Sequence, residues 1–253
     1  MVLNDRQRSI IELLKMDKSF SVKKLSEMLF FSASTIRRDL DALENANLVR
    51  RTHGGATFLP DGNVEIPLTL QMDMHREAKE AIARAAARFV KDGESLFMDS
   101  SSSVLYMAPF LADKKELTIV TNGLTTALEL SRFHTFRIVC TGGCLREKSL
   151  YMVGEHARNV LEKYHVDKLF FSARNISLSG GVTDFTEDVA EIRKVMLAHA
   201  NKKILLMDKS KIGGTSLCRI CGVSEIDVLI TDGVPKDREK WEEAIANLVV
   251  ADK

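Results

Sequence analysis

Three short stretches near the start of the chain carry apolar residues at the three- and four-residue spacing of amphipathic helices. They predict a helix over roughly residues 5–16, a second that begins near Ser21, and a third that begins at Ser32, whose hydroxyl can cap it. A tight turn at Phe30 and Phe31 before the last helix gives a helix-turn-helix layout. The apolar positions are Ile10, Leu13 and Leu14, then Val22, Leu25, Met28 and Leu29, then Ile36, Leu40 and Leu43.

The side of the third helix opposite its apolar stripe is polar and basic. At about 100° per residue, Ser34 and Arg38 face away from the stripe, and Thr35 and Arg37 flank them. A helix with a buried side, a basic side and a defined start meets the requirements of one that reads the DNA major groove. A helical bundle with a solvated basic face is the alternative interpretation of this pattern.

A basic hairpin follows the third helix. Residues 48–52 and 56–58 have the pattern of two strands, and Gly54 and Gly55 predict the turn between them. Such a hairpin would be the wing of a winged helix-turn-helix, and it would bring its cations near phosphates. The predicted DNA-contacting residues are therefore Ser34, Thr35, Arg37, Arg38, Arg50, Arg51 and His53.

The remainder of the chain alternates short apolar strands with helices, which indicates a parallel sheet covered by helices on both faces. We predict an α/β protein with a winged helix-turn-helix domain at residues 1–58, a linker at residues 59–75 that contains Pro60 and Pro67, and an α/β domain at residues 76–253. The predicted strands lie at residues 96–98, 117–120, 136–140, 169–171, 204–207 and 228–230.

Small, polar or charged residues follow these strands, at the edge where open parallel sheets bind ligands. Residues 100–103, which we name the serine loop, form the best cradle for a phosphate, because hydroxyls and the positive end of a following helix favour an anion. Asp99 and Asp208 could accept hydrogen bonds from sugar hydroxyls. The candidate cations near this edge are Arg146, Arg174, Lys209 and Lys211.

The distribution of charge along the chain bears on how the protein would bind DNA. Residues 1–57 hold ten Lys/Arg and seven Asp/Glu, a local charge of +3 in a chain of net charge +1. This excess is modest, so we expect a homo-oligomer, a dimer or tetramer, that places two or more of these DNA-binding domains on one double-stranded DNA.

No apolar run approaches the length of a membrane span, and the N-terminal sequence lacks the apolar core of a signal peptide. We therefore expect a cytoplasmic protein without a membrane partner.

The four cysteines have spacings that resemble metal ligands, with Cys140 four residues before Cys144 and Cys218 three before Cys221. We expect small buried or half-buried thiols, with a metal site or a redox pair as the alternative. Disulfides are not expected in a reducing compartment. No cofactor and no metal are predicted.

The chain resembles the DeoR family of bacterial transcription regulators. In its first part the resemblance is carried by Arg6 with Ile10 and Leu13, by Val22-x-x-Leu25, by the run from Ser32 to Glu44, and by Arg51-x-His53-Gly-Gly-Ala56. In its second part it is carried by Asp99-x-x-Ser-Ser, Val120-Thr-Asn, Gly142-Gly-x-Leu-Arg146, Gly180-Gly-x-Thr183, Asp208-x-Ser-Lys211 and Ile226-Asp-x-Leu-Ile-Thr-Asp232.

The resemblance implies a winged helix-turn-helix followed by a sensor domain whose fold is similar to ribose-5-phosphate isomerase. It also implies a repressor of carbohydrate metabolism genes that binds a phosphorylated sugar without turning it over. The chain departs from the family pattern at Ser101, usually glycine, at Gln71, often arginine, and at residues 172–175, usually small. The predicted effector-binding residues are Asp99, Ser100, Ser101, Ser102, Ser103, Thr121, Asn122, Gly142, Gly143, Arg146, Arg174, Thr183, Asp208 and Lys211.

Two other functions remain open on the sequence. One is a sugar-phosphate isomerase-like enzyme with a DNA-binding head, for which Asp99, Asp208 or Glu191 could supply a carboxylate base. The other is a DNA-binding protein without a ligand, which the row of anion-friendly loops disfavours.

Overall fold

The computed structural model describes residues 4–17, 19–45, 48–58 and 66–252. The chain forms two compact units, Met1–Leu70 and Gln71–Lys253. Of the linker predicted at residues 59–75, residues 59–65 lie outside the described part. Leu68–Asp73 form a short helix with Leu68 and Leu70 buried, so that part is helical rather than irregular.

The first unit contains three helices and a three-stranded antiparallel sheet. The sheet order is β1-β3-β2, so β3 pairs with both of its neighbours. At Gly55 a β-carbon would lie 2.2 Å from the carbonyl oxygen of Phe20, so only glycine lets β3 pass so close to β1. The elements are α1 (Asp5–Met16), β1 (Ser19–Ser21), α2 (Val22–Leu29), α3 (Ala33–Asn45), β2 (Val49–Thr52) and β3 (Gly55–Phe58).

The helix-turn-helix and the hairpin are confirmed, whereas β1 was not predicted. Ser21 accepts a hydrogen bond from the backbone N–H of Lys24 at 3.1 Å and thereby caps α2. Ser32 accepts one from the N–H of Thr35 at 3.2 Å and caps α3 in the same way. Most positions of the apolar stripes are buried, and the fully buried ones include Ile10, Leu25, Ile36, Leu40 and Leu43, whereas Met28 is exposed.

The second unit is built on a seven-stranded parallel sheet of order β15-β14-β12-β9-β4-β5-β6. Smaller antiparallel pairings join β7 to β8 and β11 to β10 and β13. Its elements are α4 (Leu68–Asp73, which spans the boundary), α5 (Arg76–Ala87), β4 (Ser95–Met98), α6 (Ser102–Leu105), β5 (Thr118–Thr121), α7 (Leu124–Leu130), β6 (Arg137–Cys140), β7 (Cys144–Arg146), β8 (Tyr151–Val153), α8 (Glu155–Leu161), β9 (Val166–Phe171), β10 (Asn175–Ser177), β11 (Gly181–Asp184), α9 (Glu187–Ala198), β12 (Ala200–Leu206), β13 (Cys218–Cys221), β14 (Val228–Thr231), α10 (Arg238–Ala244) and β15 (Leu248–Val250).

Alternate residues of the central strands enter two separate apolar clusters, as expected when both faces of a sheet are covered. Phe97 and Phe171 belong to the cluster that includes residues of α8, α9 and α10. Met98 and Phe170 belong to the cluster that includes residues of α5 and α6. The parallel sheet with two covered faces is thus confirmed. Within the described ranges, no helix combines the length and the apolar character needed to cross a membrane.

Candidate functional site

The N-terminal end of α3 presents a group of hydroxyls followed by two cations. The Oγ of Ser32 lies 2.9 Å from the Oγ of Ser34 and 2.8 Å from the Oγ1 of Thr35. Arg37 and Arg38 are exposed one helical turn further on. In the hairpin, Arg50 and His53 are also exposed. This surface therefore offers hydrogen-bond donors and positive charge on α3 and on the hairpin.

A buried carboxylate holds α3 from the opposite side. Asp39 accepts hydrogen bonds from Nε and Nη2 of Arg6 and, at 3.3 Å, from Nε2 of Gln7. The Arg6 guanidinium also lies 4.7 Å from the ring centroid of Phe31, in the turn before α3. The hydrogen bond to Asp39 raises the pKa of Arg6 above its ordinary value. Sequence reasoning did not find Asp39 as an anchor, although its position three residues after Ile36 places it beside the apolar stripe.

Arg51 does not extend freely from the hairpin. Its Nη1 donates to Oδ1 of Asp41 at 2.8 Å and to the carbonyl oxygen of Arg37 at 3.3 Å. The backbone N–H of Arg51 donates to Oε1 of Glu44 at 2.8 Å. The prediction grouped Arg51 with the phosphate-facing cations, but its side chain is bonded to α3.

In the second unit, the loops after β4, β9 and β12 are neighbours, because β9 lies between the other two strands. Asp99 is buried between them. Its Oδ1 accepts from the N–H and the hydroxyl of Ser101, at 2.9 and 2.5 Å, and its Oδ2 accepts from the N–H of Ser172 at 3.2 Å. Arg193 adds a fourth bond from Nε at 2.9 Å. Protein donors thus occupy both oxygens of Asp99, which the sequence analysis expected to accept hydrogen bonds from sugar hydroxyls.

Arg193 is the main residue that the sequence prediction missed. It lies buried on α9 and bridges two buried carboxylates, since its Nη1 also donates to Oδ2 of Asp184 at 2.6 Å. Burial alone would lower the pKa of the Arg193 guanidinium, but Asp184 and Asp99 raise it above its ordinary value. The available signal was a charged residue between the apolar positions Ile192 and Met196 of a helix.

The serine loop follows Asp99 directly. The Ser101 hydroxyl, which donates to Asp99, also caps α6 by accepting from the N–H of Val104 at 3.4 Å. Ser102 and Ser103 are buried, and the Oγ of Ser103 has no hydrogen-bond partner among the described residues. The helix predicted to follow the serine loop is α6, which is only four residues long and is followed by a separate 3₁₀ turn at Ala108–Leu111. The dipole that was expected to assist an anion is therefore that of a single turn.

The loop after β5 lies against the serine loop. Gly123 makes this possible, since a β-carbon there would lie 3.0 Å from Cα of Ser100. Thr121 accepts from the N–H of Gly123 at 3.0 Å. Asn122 donates from Nδ2 to the carbonyl of Met152 at 3.1 Å, which fixes its amide. The Oδ1 of Asn122 is then buried without a partner in the described structure.

The loop after β12 supplies a carboxylate and an amine. Asp208 accepts through Oδ1 from the N–H and hydroxyl of Ser210. Lys211 places Nζ 3.7 Å from Oδ2 of Asp208 and 3.2 Å from the Oγ of Ser172. Burial alone would raise the pKa of Asp208, but Lys211, Ser210, His75 and Lys79 together lower it below its ordinary value. Lys211 thus lies close enough to Asp208 to form an ion pair with it.

The remaining predicted residues have other surroundings. Arg146 forms an ion pair with Asp188 of α9. The hydroxyl of Thr183 accepts from the N–H of Ser216 at 2.9 Å and so stabilises the small antiparallel sheet. Gly142 and Gly143 have positive φ angles, and at Gly143 a β-carbon would lie 2.6 Å from the carbonyl oxygen of Val153. Arg174 is half-buried beside this small sheet, since its N–H donates to the carbonyl of Thr183.

An open groove of about 400 Å³ lies between α8 and α9. Glu155, Glu191 and Asp188 are among its lining residues, whereas no residue of the serine loop lines it. Because its walls are largely acidic, it does not suit an anion, and we place the candidate pocket at the strand ends instead.

The cysteines differ in exposure. Cys221 is buried and Cys218 half-buried, as expected, but the same expectation was wrong for Cys140 and Cys144, which are exposed. Burial raises the pKa of the Cys221 thiol to about 12. Within the described ranges, no group of three or more His, Cys, Asp or Glu side chains is arranged to hold a metal ion.

A winged helix-turn-helix followed by a parallel α/β unit with polar strand ends defines a class of two-part DNA-binding regulators. Residues 6–61 match the DeoR-like helix-turn-helix domain, and residues 74–233 match the DeoR C terminal sensor domain. The chain therefore belongs to the DeoR family and is a DNA-binding transcriptional regulator. We call its two units the head and the sensor from here on.

Curated relatives match almost the whole chain. Over 232 residues it is 37% identical to the uncharacterized HTH-type transcriptional regulator YulB of Bacillus subtilis (92% of this chain, 90% of that protein). Over 228 residues it is 36% identical to the HTH-type transcriptional regulator GolR of Listeria innocua (90% of each). Over 235 residues it is 31% identical to the glycerol-3-phosphate regulon repressor of Escherichia coli K12 (93% of each).

The expected likeness to ribose-5-phosphate isomerase is found over 54% of each chain, with 15% identity and a TM-score of 0.41. A likeness this distant has no bearing on activity.

Proposed function

We propose that this regulator is a repressor of carbohydrate metabolism genes whose DNA binding is altered by a phosphorylated sugar at the strand ends of the sensor. The observation that carries the proposal is a set of buried polar side-chain atoms without hydrogen-bond partners in the described structure, one of which, Asp208 Oδ2, has the Lys211 ammonium at 3.7 Å. Asn122 Oδ1, Asp208 Oδ2 and Thr231 Oγ1 lie at the carboxyl ends of β5, β12 and β14, and Ser103 Oγ lies in α6, the helix that follows β4. A buried polar group without a partner costs about 1–3 kcal/mol, so a row of them at one edge indicates a place for a polar ligand.

The chemistry of these atoms fits a phosphorylated polyol. Ser103 can donate to a phosphate oxygen, and the Lys211 ammonium, in the loop after β12, supplies positive charge. Asn122 Oδ1 and Asp208 Oδ2 can only accept, so they suit hydroxyl groups. The name of the Escherichia coli relative, a glycerol-3-phosphate regulon repressor, supports a ligand of this class.

Binding without turnover is the second part of the proposal. Of the three candidate bases, Asp99 is saturated by protein donors, and Asp208 is paired with Lys211. Glu191 is on the surface of α9, where it pairs with Lys194 at 2.8 Å. None of them is an unpaired base inside a pocket, as abstraction of a sugar proton requires. Ribulose 5-phosphate formed from ribose 5-phosphate by the purified protein would contradict this part.

The effector proposal is tested by Ser102→Glu, which places a negative charge at the buried start of α6. In the parent protein, a phosphosugar at 100 times its Kd should stabilise the sensor by ~2.7 kcal/mol in a thermal-shift screen. In Ser102→Glu this stabilisation should vanish, while DNA binding without ligand persists in a gel shift. Ser179→Glu, the same change at an exposed turn, is the matched control. An unchanged phosphosugar response in Ser102→Glu would place the phosphate elsewhere.

The third part of the proposal is that the protein is a homo-oligomer. One head, with a local charge of +3 over residues 1–57, makes few phosphate contacts, whereas two heads on a repeated site combine their binding free energies. We expect light scattering at micromolar protein to give a dimer or tetramer. A monomer both with and without DNA would contradict this.

A further inference from the structure

The hairpin β2–β3, which we call the wing, is attached to the recognition helix α3 by side-chain bonds as well as by its core. We propose that Arg51 is a positioning residue that holds the wing against α3, and that it does not contact DNA phosphate. We call Arg51 and its two acidic partners on α3, Asp41 and Glu44, the wing clamp. The proposal rests on DNA binding by the head and is independent of the effector.

The wing clamp holds the wing through two groups of Arg51, its guanidinium and its backbone N–H. The guanidinium of Arg51 bonds to Asp41 and to the carbonyl of Arg37, and its backbone N–H bonds to Glu44. Asp41 and Glu44 are three residues apart on one face of α3, so both ends of Arg51 meet the same helical surface. Only 25% of the Arg51 side chain is exposed.

Arg50, the preceding residue of β2, has surroundings that differ from those of Arg51. Successive residues of a strand point to opposite faces, so Arg50 faces away from the side of the wing that carries Arg51. Arg50 is exposed, and none of the ion pairs found among the described residues involves it. Of the two adjacent cations, Arg50 is thus the one placed to meet a phosphate.

The location of the clamp explains its importance for DNA binding. The carbonyl that Arg51 bonds belongs to Arg37, whose side chain lies on the DNA-facing half of α3. The wing is thereby fixed next to the residues that read DNA. Asp41 is 63% exposed, so the ion pair itself is weak. Its effect is to limit the orientations of the wing before DNA arrives, which reduces the entropy lost on binding.

The two possible roles of Arg51 make opposite predictions for Asp41. If Arg51 contacted a phosphate, Asp41 would compete with the DNA for it and repel the DNA as well, so Asp41→Asn would tighten binding. If Arg51 positions the wing, Asp41→Asn loosens the clamp and weakens binding despite the loss of a negative charge.

The experiment uses the full-length protein and the DNA duplex that it selects from a random-sequence library, with Kd measured over a salt series. Arg51→Met should raise Kd about two- to fivefold, the range of an exposed ion pair, without changing the slope of log Kd against log salt. The matched variant Arg50→Met should reduce that slope by about 0.9, the signature of one lost phosphate contact. Asp41→Asn should raise Kd as Arg51→Met does, and the double variant should be no worse than either single one.

Tighter binding by Asp41→Asn, or a slope reduced by about 0.9 in Arg51→Met, would overturn the proposal. Helical circular dichroism identifies any variant that fails to fold. If Arg51→Met fails in this way, Asp41→Asn decides the outcome alone, because it replaces one exposed carboxylate by an amide of the same size.

Discussion

The head and the sensor use the same residue types in opposite ways. In the head, Arg37, Arg38 and Arg50 are exposed. In the sensor, Arg193 is buried between two carboxylates, and Lys79 is buried with its Nζ bonded to a backbone carbonyl. The head thus places cations at the surface of its recognition helix and hairpin, whereas the sensor, besides exposed cations such as Lys194, also buries cations in its interior.

The difference follows from the size of the two ligands. DNA is a long polyanion with counterions condensed along it. A protein that binds DNA gains affinity from exposed cations, because they neutralise phosphates and release those counterions. A small metabolite is recognised by a few polar groups, in a site whose other hydrogen-bonding groups already have partners within the protein. The sensor fits the second description, because protein donors saturate Asp99 while only a few buried atoms among the described residues lack partners.

The largest expected effect comes from breaking the buried charge network of the sensor. Arg193→Met leaves Asp99 and Asp184 buried without their cation, so we expect the sensor to lose about 3–5 kcal/mol of unfolding free energy. Urea unfolding followed by the fluorescence of Trp241 measures this, since the single tryptophan of the chain lies in the sensor.

The control for Arg193→Met is the next residue. Lys194→Met removes an exposed cation from the same helix, and its change should stay within about 0.5 kcal/mol. Equal effects of the two substitutions would show that burial does not distinguish these cations.

A smaller effect is expected from an exposed cation of the head. Arg38→Ala should weaken binding to the selected DNA duplex by about 1–3 kcal/mol, the contribution of one arginine–guanine pair, and leave thermal stability unchanged. Lys240→Ala, an exposed change on α10 of the sensor, should alter neither quantity. Unchanged DNA affinity in Arg38→Ala would remove this residue from the interface.

The sequence predicts the head well because its signals are local. The helices, the start of α2 near Ser21, the cap at Ser32 and the turn at Phe30 each depend on residues within a few positions of one another. Arg51 shows where this reasoning fails. Its basic character and place in the wing predict a phosphate contact, but its partner Asp41 lies ten residues earlier, and only the packing of the wing on α3 brings them together.

In the sensor, the periodic strands were predictable, whereas the bonds that define the candidate pocket were not. Arg193 is 94 residues from Asp99, and Lys211 is 39 residues from Ser172. Such pairs follow from strand order, which the hydrophobic pattern does not determine. The short strands β7, β8, β10, β11, β13 and β15 also escaped prediction.

The smallest perturbation needs no substitution and tests burial of an ionisable group in the sensor directly. The thiolate is the reactive form of cysteine, and burial raises the pKa of Cys221 to about 12, so this thiol stays protonated at pH 8.5. Iodoacetamide at that pH should modify the exposed Cys140 and Cys144 in the native protein and leave Cys221 unmodified until urea is added. Peptide mass spectrometry measures the modified fraction at each site. Rapid native modification of Cys221, at a rate equal to that of Cys140, would show that this part of the sensor opens readily to solvent.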